Sequence, residues 1–446
     1  VNSRAQFRDD HVANTIAGRG QKGKAGRWIL LSIFALALVL RLVDGIFVVG
    51  LDAPRGMDSR QYIQYAENLV SGRGYVLDDF HVLEQVHSVR MPGYPIFLAA
   101  FRYVFGPNLA WVRAAQCILG AVLALEVYWI AVVLFGVPVA RIAAFATAIY
   151  PNFIRWSNLI ATETLFLLLF VGAVGALFRH AETRKSVYLL AAGGALGLAT
   201  LTRATAFPLF FLLVLYFLAR YRPSMDGFKA WLIFAIAGLV VILPWSIRNM
   251  RIHGTFVLLS TQSGLSLWRA VGPGADPTGN DRFAPTPPIP CTIRTEVAWD
   301  KYLRDSAVRE IRRRPMGFLR NLPAQFVRMW HLTPHFWLRK TAGGKLEELV
   351  FLSFYYPLLA LSAGGIYLTR RSWRRLLPCH LAFVNFTAIH VVFVTAGRYR
   401  LPIIPFFVIF AAVMIICLLR RRRDVASGIA SQREATQVMN VCSSRG

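Results

Sequence analysis

Apolar residues in this chain come mostly in blocks of about 17–25, the length a helix needs to cross a hydrocarbon core of about 30 Å. The blocks fall at about 28–50, 112–135, 138–151, 163–179, 187–202, 205–220, 229–247, 346–369, 377–396 and 401–420. The third is short and ends at Pro151. The pattern predicts an all-α integral membrane protein with about ten transmembrane helices. Two long loops interrupt the blocks, at 51–111 and 248–345. In the first, Asp58 to Ser71 reads as a helix ended by Gly72-Arg73-Gly74. Tyr94 to Phe105 is apolar but too short to span, and reads as a helix along the interface. The second loop opens with a Gly/Pro-rich stretch, Gly272 to Pro290, followed by segments of helical periodicity at Glu296–Arg314 and from Pro315 to about His331. These read as helices lying on the membrane surface. No repeat of fixed period occurs.

Composition supports lipid as the solvent. Hydrophobic residues make up 56% of 446, with a mean hydropathy of +0.47, more apolar surface than one soluble core could bury. The block Trp28–Gly50 is too long for a signal peptide and no small-residue cleavage site follows it, so it reads as an uncleaved first span. The expected organisation is a basic cytoplasmic segment 1–27, a transmembrane domain 28–420 and a polar, disordered cytoplasmic tail 421–446.

The formal charge of +27 would suit nucleic acid if it lay on one compact domain. It lies instead in short clusters between spans: Arg19, Lys22, Lys24 and Arg27; Arg179, Arg184 and Lys185; Arg220, Arg222 and Lys229; Arg370, Arg371, Arg374 and Arg375; and Arg420 to Arg423. Ten spans with both termini cytoplasmic put every cluster on one side, as the positive-inside rule requires, and no nucleic-acid partner is expected. The five cysteines (Cys117, Cys291, Cys379, Cys417, Cys442) form neither a disulfide framework nor a zinc spacing. His87, His253, His331, His335 and His390 also lack metal-ligand spacing and read as structural or interfacial.

A second set of arginines runs against topology. Arg55, Arg90, Arg155, Arg203, Arg248, Arg251, Arg398 and Arg400 map to the opposite, external face, where basic residues should be depleted. Each could pair with a lipid headgroup or a nearby carboxylate. Together they suggest an anionic ligand, since guanidinium offers paired donors to phosphate. Two carboxylates join them. Asp58, with Gln61 three residues on, reads as a helix capping box or as a catalytic acid. Glu163, in Ala161-Thr-Glu-Thr164, reads as a first-turn acid satisfying the helix dipole or as a functional carboxylate at a membrane boundary. Glu126, inside the second span, reads as an interhelical hydrogen-bonding group. No phosphate-binding Gly-rich loop, dinucleotide fingerprint or nucleophile elbow is present. A transferase built this way needs a donor that arrives in the membrane.

These residues resemble the GT-C superfamily of integral membrane glycosyltransferases, in the branch of protein O-mannosyltransferases, lipid A aminoarabinose transferases and rhizobial lipopolysaccharide sugar transferases. The resemblance rests on Asp58-Ser-Arg-Gln-Tyr62 with Ala66 to Tyr75; on Arg90-Met-Pro-Gly-Tyr-Pro-Ile-Phe-Leu98; on Tyr150-Pro151 running to Thr162-Glu-Thr-Leu-Phe166; on Leu243-Pro-Trp-Ser-Ile-Arg-Asn249 with Gly254 and Leu259-Ser260; and on Arg398-Tyr-Arg-Leu-Pro402 with Pro405. It covers about 28–420. It implies an inverting transfer of a hexosyl or pentosyl group from a polyprenyl-phosphate donor to a glycan, lipid or protein acceptor, on the external (periplasmic) face of the inner membrane. Asp58 takes the family's first-loop acidic position, as general base or acceptor-orienting group. Glu163 matches the second, often Asp in relatives. Many relatives carry two adjacent acids in the first loop; here Ser59 follows Asp58, which weakens the case for a paired-acid or metal role, although two separated acids leave a divalent cation open.

For the donor phosphate the span-end positions favour Arg203 and Arg248, then Arg90 and Arg398. Tyr62 and Tyr94 either stack on substrate or are interfacial aromatics. Competing readings are a polymerase or ligase of lipid-linked glycans, which would use the same arginines, and a lipid-linked sugar flippase or transporter. The latter would call for inverted repeats and paired broken helices, and no such pairing is seen. A non-catalytic scaffold leaves Asp58 and the external arginines without a purpose.

Overall fold

The computed structural model describes residues 24–50, 56–221, 225–275, 284–331 and 344–422. Arg19, Lys22, Arg55, Arg222, Arg423, His335 and the tail with Cys442 lie outside the described residues. Helix α1 (Lys24–Val43) runs on into a π-helical segment, Asp44–Val49. The first loop follows, with α2 (Met57–Val70), a hairpin of β1 (Leu77–Phe80) and β2 (Leu83–Val86), and α3 (Gly93–Phe105). Next come α4 (Leu109–Phe135), α5 (Val137–Ile149), α6 (Pro151–Asn158), α7 (Glu163–Thr183), α8 (Val187–Thr202), α9 (Leu209–Tyr221) and α10 (Met225–His253). The second loop holds α11 (Ser263–Val271), α12 (Glu296–Arg313) and α13 (Pro315–Trp330). The chain closes with α14 (Gly344–Thr369), α15 (Leu377–Val392) and α16 (Ile404–Arg422).

Among the described residues seven helices are long and apolar enough to span: those of α1, α4, α7, α9, α10, α14 and α16. An eighth crossing is broken, with α5 and α6 meeting at 49°. The break is written in the sequence. Pro151 supplies no N–H and pushes Tyr150 into an extended conformation (φ −67°, ψ 117°), so one helix stops and another starts. The remaining two expected spans, α8 and α15, have 16 residues each. At 1.5 Å per residue they reach about 24 Å, short of a hydrocarbon core of about 30 Å. Both still run from one end of the bundle to the other, α8 ending at Arg203 beside Glu163 and α15 leading from Arg375 toward Arg398, and α8 packs tightly inside the protein. A Cβ on Gly193 would meet the Phe234 carbonyl at 2.1 Å, and one on Gly197 the Gly238 carbonyl at 2.7 Å. These glycines let two membrane helices approach backbone to backbone.

The two loops pack into one unit at the end of the bundle where α7 and α16 begin and α8 and α10 end. An apolar cluster joins Tyr75, Leu77 and Val86 of the first loop to Trp245, Trp268 and Trp299. Glu296, buried at its centre, accepts the backbone N–H groups of His87 (3.0 Å) and Ser88 (3.2 Å) and the Thr261 hydroxyl (3.1 Å). It also pairs with His253 at 2.9 Å. One carboxylate thus ties both loops to the last turn of α10.

Glu126 faces Gly172 on α7, its Oε1 3.0 Å from where a Cβ would stand there. Its Oε2 has no hydrogen-bond partner among the described residues, so the expected interhelical hydrogen bond is not seen for that oxygen.

Candidate active site

Asp58 does not cap its helix. The N-cap of α2 is Gly56, at φ +99°, a conformation that favours glycine, and no side chain caps the turn. Asp58 lies two residues on, within the first turn, and points at two arginines from distant parts of the chain. Its Oδ1 meets Arg90 Nη2 at 2.5 Å, and its Oδ2 meets Arg398 Nη2 at 3.0 Å. Gln61, the other half of the expected box, accepts from Arg90 Nε (2.9 Å) and Nη2 (2.6 Å). Arg90 comes from the bend between β2 and α3, and Arg398 from the 3-10 turn Gly397–Arg400 before α16. Gly93 permits this approach: a Cβ there would collide with the Thr202 hydroxyl (2.7 Å) and the Leu201 carbonyl (2.9 Å) at the end of α8.

A second ion pair stands beside the first. Glu163, in the first turn of α7, binds Arg203 Nη1 at 2.8 Å, and the same nitrogen donates to Thr162 Oγ1 at 3.2 Å. Tyr399 links the two pairs, with the guanidinium of Arg203 5.4 Å and that of Arg398 5.2 Å from its ring centre. Tyr62 lies under Arg90, 5.5 Å from its guanidinium. The structure therefore brings together Asp58, Glu163, Arg90, Arg203, Arg398 and Tyr62. Three guanidiniums face two carboxylates, which leaves positive charge in surplus.

The two carboxylates differ in access. The Glu163 side chain is 4% exposed and that of Asp58 34%, so only Asp58 is open to an incoming substrate. Burial would raise the Asp58 carboxyl, but the charges of Arg90 and Arg398 overcome it and hold it well below the usual carboxylate range. Asp58 is therefore ionised at neutral pH.

Two predicted residues are placed elsewhere. Arg248 donates to the carbonyls of His87 (2.7 Å) and Tyr75 (2.9 Å) and to Ser88 Oγ (3.2 Å). It lies over the Trp245 ring at 4.7 Å. It clamps the hairpin onto α10 rather than joining the Asp58 cluster. Tyr94 is fully buried; its hydroxyl donates to Gln116 Oε1 at 2.6 Å, and its ring meets Tyr62 edge-on at 5.2 Å. Gln116 in turn donates to the carbonyls of Ser157 (3.0 Å) and Leu159 (2.8 Å), in the turn that leads to Glu163. Tyr94 thus supports the site from behind. Of the other external arginines, Arg155 pairs with Asp44 at 3.1 Å. Arg400 caps the carbonyls of Met329 and His331, and Arg251 is exposed.

Sequence reading missed Arg269. It sits on α11, where burial first and then the nearby charge of Arg90 lower its pKa, and Asp58 acts on it in the opposite sense. It lies within the field of the cluster but at no span end, so position gave no signal. Among the described residues no three His, Cys, Asp or Glu side chains gather as metal ligands. The Asp58 oxygens and Glu163 Oε1 are engaged by guanidiniums.

Residues 88–247, about a third of the chain, match the family profile described as dolichyl-phosphate-mannose-protein mannosyltransferase. No curated protein sequence matches. Among solved structures, the oligosaccharyltransferase of Archaeoglobus fulgidus in its apo form is similar at a TM-score of 0.55 and 13% identity, over 90% of this chain and 52% of that one. The same organism's oligosaccharyltransferase AglB, in complex with an inhibitory peptide and a dolichol-phosphate, is similar at 0.53 and 13%, over 91% and 52%. ArnT from Cupriavidus metallidurans bound to undecaprenyl phosphate aligns at a TM-score of 0.44 and 15% identity, over 92% of this chain and 81% of that one. The chain spans about half the length of the first of these structures. It is an all-α integral membrane protein with the GT-C fold.

Proposed function

We propose that this protein transfers a sugar from a polyprenyl-phosphate donor to an acceptor hydroxyl, with inversion, at the membrane face formed by its two loops. The observation that carries the reading is the cluster of Arg90, Arg203 and Arg398 around the open carboxylate of Asp58. The family profile over 88–247 and the dolichol-phosphate held by the AglB structure support a lipid-phosphate donor.

The chemistry follows from charge and access. The acceptor oxygen attacks C1 as the bond from C1 to the phosphate oxygen breaks. The hydroxyl proton goes to Asp58, the carboxylate that a substrate can reach. The electron pair leaves on the phosphate, whose charge falls on the guanidiniums, where water is scarce and the donors are fixed in advance. Glu163 holds Arg203 in place. Arg90 and Arg398 serve twice. While they bind Asp58 they make it a weak base. A donor phosphate that draws their charge restores ordinary carboxylate basicity, so the base is released only when a donor is bound.

The test is transfer by the purified protein in nanodiscs, with labelled polyprenyl-phosphate sugars and envelope acceptor, beside Asp58→Asn. A drop of at least about 100-fold in the variant is what loss of a general base gives. Equal transfer by both proteins would remove Asp58 as the base.

A further inference from the structure

At the opposite end of the bundle from Asp58, a cavity of about 400 Å³ opens between helices. Its walls include Val133 at the end of α4, Phe178 of α7 and Ala219 of α9, and its charged rim is Arg220, Arg374 and Arg375. Glu163 begins α7 and Glu182, which also lines the cavity, lies near its end. At 1.5 Å per residue the two are separated by about 30 Å, one hydrocarbon thickness. The cavity therefore sits at the other membrane surface.

Its charge is unbalanced. Among the described residues Glu182 is the one acid lining the cavity, and it pairs with Arg179 at 3.0 Å. Among the described residues none of the three rim arginines makes an ion pair. Two are fixed by helix carbonyls: Arg220 Nη2 donates to Ala181 at 3.0 Å, and Arg375 Nη2 to Val133 at 2.5 Å. A guanidinium carries five N–H donors, so these contacts orient each group and leave most donors for a ligand. Arg374 lies over the exposed ring of Trp373 at 5.6 Å.

Positive-inside topology accounts for basic residues on this side, but not for a cavity at the membrane surface rimmed by guanidiniums from two elements, two of them held in place by helix carbonyls. We propose that the cavity binds the phosphate headgroup of an anionic glycerophospholipid.

Native mass spectrometry of the purified full chain, loaded with phosphatidylglycerol or phosphatidylcholine, tests this. The wild type is expected to retain phosphatidylglycerol preferentially. Arg374→Ala/Arg375→Ala is expected to weaken that retention by about 30-fold, from two basic residues near an anionic headgroup, while Arg421→Ala/Arg422→Ala, on the same side but outside the cavity lining, leaves it unchanged. Should the double variant fail to fold, Arg374→Gln alone keeps the Arg375 helix cap and is expected to lose about fivefold. Equal retention of the two lipids, equal loss in both double variants, or displacement of the lipid by millimolar inorganic phosphate would each overturn the proposal.

Discussion

Replacing Asp58 by Asn separates catalysis from phosphate binding. The substitution keeps the shape of the side chain and removes one negative charge between Arg90 (2.5 Å) and Arg398 (3.0 Å). A donor phosphate on the remaining donors of those arginines would stand about 6 Å from the carboxylate, where like charges repel by about 3 kcal/mol at an effective dielectric of 20. Asp58 is 34% exposed, and solvent screening reduces this to about 1–1.5 kcal/mol. Asp58→Asn should therefore bind a sugar-free polyprenyl phosphate about tenfold tighter, because 1.4 kcal/mol is a factor of ten. Transfer should fall by about 10²–10⁴. Equilibrium binding in nanodiscs and transfer, measured on the same preparations, give both numbers. Weaker phosphate binding in the variant would refute the reasoning. It would mean that the carboxylate helps hold the phosphate, as it would through a bridging divalent cation, and EDTA would then weaken binding by the wild type.

Other outcomes follow from the same geometry. Glu163→Gln leaves the Arg203 charge without its counter-ion in a site where the Glu163 side chain is 4% exposed; a loss of about 3–5 kcal/mol in unfolding stability is expected, read by thermal unfolding, with Glu163→Asp recovering part of it. Arg248→Ala should loosen the hairpin, seen as faster proteolysis near 77–86, and leave polyprenyl-phosphate affinity unchanged, because its donors serve His87 and Tyr75. The Asp58 pKa is depressed, so the carboxylate stays ionised and its ion pairs persist above the unfolded value of about 3.9, to be lost only as pH falls toward the folded value. Arg398→Met removes one of the two cations, so the acidic limb of the pH–rate profile should move to higher pH; an unmoved limb would detach it from Asp58.

The helices that meet lipid were legible because lipid leaves few choices: a backbone crossing it must satisfy itself, and its side chains must be apolar over the whole length. Apolar patterning ended the third span at Pro151 and gave two of the three helices of the second loop, α12 and α13, but not α11. It fails for the hairpin. Leu77-Asp-Asp-Phe80 and Leu83-Glu-Gln-Val86 bury their first and last residues with two polar ones between, so the alternation that marks a strand is absent. It also fails for direction. Arg203 and Arg248 both end spans on the same face, yet one turns to Glu163 and the other to the carbonyls of the hairpin. Position along a span says where a side chain starts and not where it goes. The Asp58 pairing was beyond reach for a related reason: its partners lie 32 and 340 residues away. Gln61 looked like a capping partner because local spacing is all a sequence offers, and tertiary contact with Arg90 decides the matter instead.

The most direct measurement is the fate of a labelled polyprenyl-phosphate sugar with wild-type protein in nanodiscs, following the released polyprenyl phosphate and the anomeric configuration of the glycoside together. One polyprenyl phosphate is expected for each glycoside formed, with the configuration at C1 inverted relative to the donor. A donor that crosses the bilayer with its sugar still attached and no glycoside formed, or a product of retained configuration, would contradict it.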